Sequence, residues 1–283
     1  MDLKSTPIPP KRSLGLLRPL KRYFEIYRIM FRNSLIREMN FKANFILWLL
    51  VELLWFLGQI IFVEVLFQYV NQIGDWSKWE VVLLIGTHQL IGQLFQAFFY
   101  VNVANLPELV RTGKLDFLLL QPIDSQFAVS TRQFGLDNVV NAMVGVGIVV
   151  FSLLKLAILP TLGQVGFYIA AVALGVTVHY SIMFFLATMA FWIVRAQGLI
   201  YGYYNLFNIA RYPEPIFRGV FRFIFSWLIP VIIVANVPAK ILIHSFEHPL
   251  GLILQLLLPT LLVSVGTRAY WKFALRHYSS ASS

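Results

Sequence analysis

Six long apolar stretches, with the basic residues gathered at one set of their ends, constrain this 283-residue chain more than any other feature. A helix needs about 20 apolar residues to cross roughly 30 Å of hydrocarbon. The stretches fall at 44–70, 81–105, 134–157, 166–194, 221–243 and 249–269. They are continuous rather than alternating and too long for barrel strands, so the spans are expected to be helical. With 58 % hydrophobic and only 13 % charged residues, an ordinary soluble domain is excluded. The mean hydropathy of +0.72 agrees. The expected fold is an all-α polytopic membrane protein: six transmembrane helices behind an N-terminal amphipathic interfacial helix.

Charge gives the expected orientation. Residues 1–43 contain no signal-peptide core and carry Lys4, Lys11, Arg12, Arg18, Lys21, Arg22, Arg28, Arg32, Arg37 and Lys42. A segment this basic stays in the cytoplasm. Six spans return the C-terminus, with Arg268, Lys272 and Arg276, to the same side. The loops 106–133 and 195–222 also fall inside, which places 20 of the 23 basic residues there. Lys78, Lys155 and Lys240 are left outside. The net charge of +10 is thus a topology signal that also favours contact with anionic lipid headgroups. It is not read as nucleic-acid binding, because the charges are split among membrane-flanking segments.

Residues 1–19, with Pro7, Pro9, Pro10 and Pro19, read as a mobile tail. In 20–42, Lys21, Glu25, Arg28 and Arg32 mark one helical face, and Tyr23, Phe24, Tyr27 and Phe31 mark the other. Such a helix sinks its apolar side into the headgroup boundary. A packed, soluble-facing helix is the alternative. After the second span, Leu106 to Thr112 reads as a short helix with Pro107 near its start and Gly113 at its stop. Leu115 to Leu120 follow, and a merely solvated turn would not carry so many leucines. Region 195–245 admits two readings. The charge count favours a cytoplasmic 195–220 and a fifth span at 221–243. Alternatively, Gln197 to Tyr212 crosses, and 213–243, broken by Pro215, Pro230 and Pro238, forms re-entrant helices.

Chemistry-bearing motifs are scarce. Gly113-Lys114 lacks the rest of a P-loop, and no zinc-protease or nucleophile-elbow motif is present. The five histidines are dispersed, and cysteine is absent, so no metal or thiolate site is expected. Intramembrane polar groups remain. Glu52 lies about 12 Å in from Asn44 at 1.5 Å per residue. It is either a proton or substrate contact or a paired packing residue. Gln89, Gln93 and Gln96 share a face of the second span, extended by Tyr100, and either line a pathway or bond a neighbouring helix. His179 sits in the middle of the fourth span, as a packing group or a proton carrier. Asn141 and Gly145 form a small-residue spacing suited to close helix approach.

The segment Gly113-Lys-Leu-Asp-Phe-Leu-Leu-Leu-Gln-Pro122 resembles the cytoplasmic-loop signature of ABC transporter permeases of the ABC type 2 exporter superfamily. More narrowly, it resembles a poorly characterised bacterial branch with six spans. The turn Gly74-Asp-Trp-Ser-Lys-Trp-Glu80 agrees with that branch. So do Arg211-Tyr-Pro-Glu-Pro-Ile216 with Pro230 and Pro238, and the tail Trp271 to Ser282. The resemblance implies a non-catalytic permease subunit in the bacterial inner membrane, both termini cytoplasmic, with 44–283 as the permease domain. It implies a second permease, identical or related, and two cytoplasmic ATPase subunits that would bind the ATP and Mg. Residues 106–122 would be the coupling loop, with Glu108, Arg111, Gly113, Asp116 and Pro122 at the ATPase contact. The family also places re-entrant outer helices before its last span. A proton-coupled secondary transporter is the alternative function.

Overall fold

The computed structural model describes residues 17–39, 42–193, 195–243 and 249–278. Residues 1–16 of the tail 1–19, and residues 279–282 of the C-terminal motif with 283 beyond it, lie outside the described residues. Among the described residues there are helices and turns and no strand beyond one isolated bridge, Ile73 to Trp76. Helix α1 (Leu17–Met39) precedes α2 (Lys42–Leu66), the first span. The second span starts at α3 (Lys78–Phe95), passes through a π-helical turn at Gln96–Tyr100 and α4 (Val101–Ala104), and reaches α5 (Leu106–Arg111). Short helices α6 (Leu115–Leu119) and α7 (Ser125–Ser130) complete the loop at this end. α8 (Leu136–Lys155) and α9 (Leu162–Thr188) are the third and fourth spans. α10 (Gln197–Phe207), α11 (Gly219–Phe223), α12 (Ile232–Ile243) and α13 (Pro249–Arg276) follow.

Local chemistry explains several boundaries. The Ser77 amide donates to the Glu80 carboxylate at 2.6 Å, which fixes the start of α3. Thr161 and Gln164 cap α9 reciprocally: the Thr161 amide donates to Gln164 Oε1 at 2.8 Å, and the Gln164 amide donates to Thr161 Oγ1 at 3.3 Å. Gly113, at φ +69°, closes α5 in the left-handed conformation that suits glycine.

The core sits where α3, α8, α9 and α12 meet. About 72 % of the most apolar window of the second span is buried inside the protein, against 11 % for α2, whose flanks are left for lipid or another chain. Gly145 makes the α3–α8 contact close. A Cβ there would come within 3.0 Å of the Leu90 backbone nitrogen, as the small-residue spacing predicts.

The structure decides between the two readings of 195–245, and against the one the charge count favours. α10 starts beside the end of α9 that carries the 3₁₀ turn Met189–Phe191, which packs on α5. It continues through a 3₁₀ turn, Asn208–Arg211, to the opposite end of the molecule. There, Pro215 packs on Gly74 of the turn between α2 and α3 so tightly that a Cβ on Gly74 would lie 2.7 Å from it. Residues 197–211 therefore run from one end of the bundle to the other, although α10 is shorter than the five helices long and apolar enough to cross a membrane. The 221–243 stretch does not cross. Gly219–Leu228 and Ile232–Ile243 form a V bent by 85°. Both arms open at the far end, because Glu214 pairs with Arg222 and with Lys240, each at 2.7 Å. Gln164, at the start of α9, also reaches the Ile241 carbonyl at 3.4 Å. The charge count misled because it treated Arg211, Arg218 and Arg222 as free cations at the basic end. Arg222 shares the Glu214 carboxylate with Lys240, and all three arginines lie at the far end of α10 or beyond it.

α12 is the buried arm. From Ile232 to Ala239 it exposes almost nothing. Asn236, fully buried, is saturated. Its Oδ1 accepts from the Glu214 amide at 2.8 Å, and its Nδ2 donates to the Ile232 and Tyr212 carbonyls at 2.9 and 3.1 Å. Pro238 has no N–H for the Val234 carbonyl one turn back. Gly175 of α9 lies against that carbonyl, where a Cβ would sit 3.1 Å away.

Burial pushes the Glu214 carboxyl upward. The hydrogen bonds and charges of Lys240, then Arg222, outweigh it and hold the group below the usual carboxylate range. A carboxyl lowered in the folded state stabilises above its unfolded pKa and loses that contribution as pH falls through the folded value. Glu214→Gln, which strands Lys240, is expected to cost about 3 kcal/mol in thermal unfolding at neutral pH, with the deficit vanishing in acid. For topology, single cysteines at Asp75 and Arg218 are expected to label from one membrane face and a cysteine at Lys114 from the other. Labelling of Asp75→Cys and Arg218→Cys from opposite faces would restore 221–243 as the fifth span.

Candidate functional site

Two polar assemblies stand out, one at mid-depth and one at the basic end. The first is a cavity of about 300 Å³ between α2, α3 and α10. Glu52, Gln89, Gln93, Gln96 and His179, named from sequence as pathway candidates, all line it. Gln93 donates its amide to the Glu52 carboxylate at 3.2 Å, and Gln89 lies beside the same carboxyl. Gln93 is oriented with Nε2 toward that carboxylate. Its Oε1 is buried without a partner.

Behind the amides lie two buried histidines. His88 Nε2 donates to the Phe207 carbonyl at 3.3 Å and its ring stacks on Phe207. His179 Nδ1 meets the Tyr203 hydroxyl at 3.2 Å, and its ring packs against Phe95 and Phe207. His88 Nδ1 and His179 Nε2 are also buried without partners. The sequence reading missed Gln59, His88, Tyr204, Asn205 and Asn208 of the lining. The signal for Gln59 was present, since Glu52, Trp55 and Gln59 fall at i, i+3 and i+7 on one face of α2. Tyr204 and Asn208 share a face in the same way, on the segment for which a cytoplasmic loop and a crossing helix were both open readings.

The second assembly is the loop platform. α5 buries Leu106, Pro107 and Leu109, and α6 buries Leu115 and Leu118, which answers the need for those leucines to touch something. Phe117 and Leu120 remain exposed at the loop surface. Arg111 donates to Glu108 through Nε at 2.9 Å and a second nitrogen at 2.7 Å. The bonds from Arg111, with its charge and that of Lys114, hold the Glu108 carboxyl below its usual range. Both side chains are exposed, so the pair adds little to stability. Asp116 lies on α6 and is half-buried; Pro122 follows that helix.

α7 ties this platform to the rest of the bundle. Asp124 caps α7 by accepting the Phe127 amide at 3.0 Å and forms an ion pair with Arg268 of α13. Partial burial pushes the Asp124 carboxyl upward, but the Arg268 hydrogen bonds, with that amide, hold it below the usual range. Arg268 also donates to Gln126 Oε1 at 2.9 Å, and the Trp271 indole donates to Ser125 Oγ at 3.1 Å. The Tyr180 hydroxyl of α9 bonds both Ser130 and Gln126. Asn102 of α4 exchanges two hydrogen bonds with the Gln133 backbone, at 2.8 and 3.0 Å.

The aromatic face of α1 lies on the same platform. The Asp124 amide donates to the Tyr23 hydroxyl at 3.0 Å, and Tyr27 and Phe31 pack edge-on to Phe134. Burial pushes the Tyr27 hydroxyl up to about 12. α1 therefore packs on its own chain while leaving Phe24, Ile29 and Ile36 exposed. Asp124 has a local signal as the N-cap of α7, but Arg268, Asn102 and Tyr180 carry none, since their partners are remote in the chain.

A family profile described as "ABC-2 family transporter protein" matches residues 53–282, from the first span to the C-terminal motif. A comparison with curated proteins finds no match. With its apolar spans, the chain is a multi-pass membrane protein, and it belongs to the ABC-2 family of transporter membrane proteins.

Proposed function

We propose that this chain is the permease subunit of an ATP-driven exporter in the bacterial inner membrane, with both termini in the cytoplasm. It forms half of the translocation pathway beside a second permease, identical or related, and couples through 106–122 to two copies of a separate ATPase. The ATP and Mg belong to that partner. The observation that carries this reading is the build of the platform. α5 and α6 are short rigid pieces joined at Gly113, and they present the exposed Glu108–Arg111 pair beside Phe117 and Leu120. Behind them α7 and its cap Asp124 are bonded to α1, α9 and α13, and Gln133, just after α7, is bonded to Asn102 of α4. A push on the loop is thereby shared among the second, fourth and sixth spans. Nucleotide can shift such an equilibrium only through unequal affinity for two states, and a docked loop is where that difference is applied.

The polar cavity is the pathway element in this reading. Proton coupling has less support, since Glu52 is hydrogen-bonded to a neutral amide of Gln93 rather than to a second titratable group.

A nucleotide-binding protein is expected to co-purify with the chain, and the double change Arg111→Ala with Asp116→Ala is expected to lower its retention at least tenfold. Arg268→Ala leaves the docking surface intact, so the ATPase should stay bound while transport falls and hydrolysis continues. A chain that purifies alone and transports in response to a pH gradient would overturn the reading.

A further inference from the structure

We propose that the trough between α2, α3 and α8 at the far end binds an anionic phospholipid, with one acyl chain in the trough and the phosphate between Lys78 and Lys155. The trough is a cavity of about 410 Å³, walled by Phe56, Ile60, Val82, Val144 and Ile148. Gly147 on its rim is exposed, and nothing lies within 4 Å of where its Cβ would be. The basic end of the molecule attracts anionic lipid through its summed charge. At the far end a single built place does so.

The depth of the trough matches one leaflet. Val144, at its deep end, is eleven residues from Lys155 on α8, or about 16 Å at 1.5 Å per residue. Phe56 is eight residues from Glu64 on α2, or about 12 Å. Half of a hydrocarbon core of roughly 30 Å is about that deep. Trp79 stands at the mouth, in the position of an interfacial aromatic.

The mouth specifies the head. The ammonium groups of Lys78 and Lys155 lie 5.1 and 5.7 Å from the centre of the Trp79 ring. Lys155 is also 5.6 Å from the centre of the Phe151 ring, which meets Trp79 edge-on. Aromatic faces attract cations, but here two like charges share one indole. Lys78 is paired with Glu64, and the third lysine at this end, Lys240, with Glu214. No carboxylate lies within ion-pair distance of Lys155 among the described residues. Glu80, one turn into α3, is engaged by the Ser77 amide. Nor does the end of α8 need Lys155 as a cap, because the Ala157 and Ile158 amides already reach the Leu154 and Leu153 carbonyls at 3.2 and 3.0 Å. One positive charge is thus left over, on an exposed side chain, at the lip of an apolar trough. A phosphodiester supplies one negative charge there, and its acyl chain fills the space below. A zwitterionic head would bring a second cation to the same place. A second copy of this chain fits less well, since an isologous contact centred here sets Lys155 against Lys155.

The test uses the full chain in phosphatidylcholine nanodiscs doped with a phosphatidylglycerol that carries a diazirine on one acyl chain. No ATPase is present and adducts are mapped by peptide, so the result does not depend on how transport is driven or on which face is cytoplasmic. After photolysis, adducts are expected on 56–63 and 144–151. Unlabelled phosphatidylglycerol should displace them, whereas added phosphatidylcholine or free glycerol phosphate should not. Lys155→Gln should lower the adduct about fivefold, the worth of one partly exposed ion pair, and Lys155→Arg should restore it. Gly147→Phe fills the trough without touching either lysine and should abolish it. Equal labelling by a phosphatidylcholine probe would overturn the proposal, as would a Lys155→Gln variant labelled like the unaltered chain. Adducts at the basic end alone would overturn it as well. A Gly147→Cys chain that forms disulfide-linked dimers and takes no lipid adduct would assign this face to a second copy instead.

Discussion

Lipid cannot hydrogen-bond a backbone, so any helix that starts or stops at membrane depth must have its loose ends met by protein. That constraint shapes the whole far half of this molecule. The V of Gly219–Leu228 and α12 has ends and a bend that a plain span would lack. Asn236 meets the problem with one side chain, giving and accepting bonds at the Glu214 amide and the Tyr212 and Ile232 carbonyls. Glu214 adds the charge link to Lys240 and Arg222. The Val234 carbonyl that Pro238 leaves without a donor is covered by the close approach of Gly175. α12 is buried on all sides because its ends cannot be left open.

The same arrangement sets the division of labour. With α12 filling the middle, α9 packs on it and on α13, and α3 packs on α8. α2 lies at the periphery against α8, α10 lies against α9, and a polar cavity separates the two from α3. The basic end is built oppositely. There the loop helices are held by side-chain bonds from four directions, and α1 lies across them through Tyr23, Tyr27 and Phe31. One end is thus a tied platform, and the middle holds a polar cavity. A family whose members carry substrate across membranes needs both properties.

Much of this was legible in the chain. The glutamine stripe at 89, 93 and 96 does share a face, because helical spacing is a local property, and Glu52 on α2 meets it. Gly145 does bring α3 and α8 together, and Pro107 and Gly113 do bound a short helix. The crossing of α10 was offered only as the second reading. Its composition is weakly apolar for a reason that local sequence does not show: Tyr204, Asn205 and Asn208 face a polar chamber instead of lipid. Arg222 counted as a free charge until its pairing with Glu214, eight residues away, was in view.

The sequence by itself determined that the chain lives in the bilayer, that its spans are helical, and that a leucine-rich loop follows the second span. Hydropathy and helical period act over one or two turns, and these features need nothing longer. Only the tertiary structure decided which of two polar segments crosses, which arginines are neutralised, and that α7 ties the loop to the last helix. Each depends on a bond beyond the reach of one or two helical turns, such as Asp124 to Arg268 or Asn236 to Tyr212, and no local pattern encodes such a meeting.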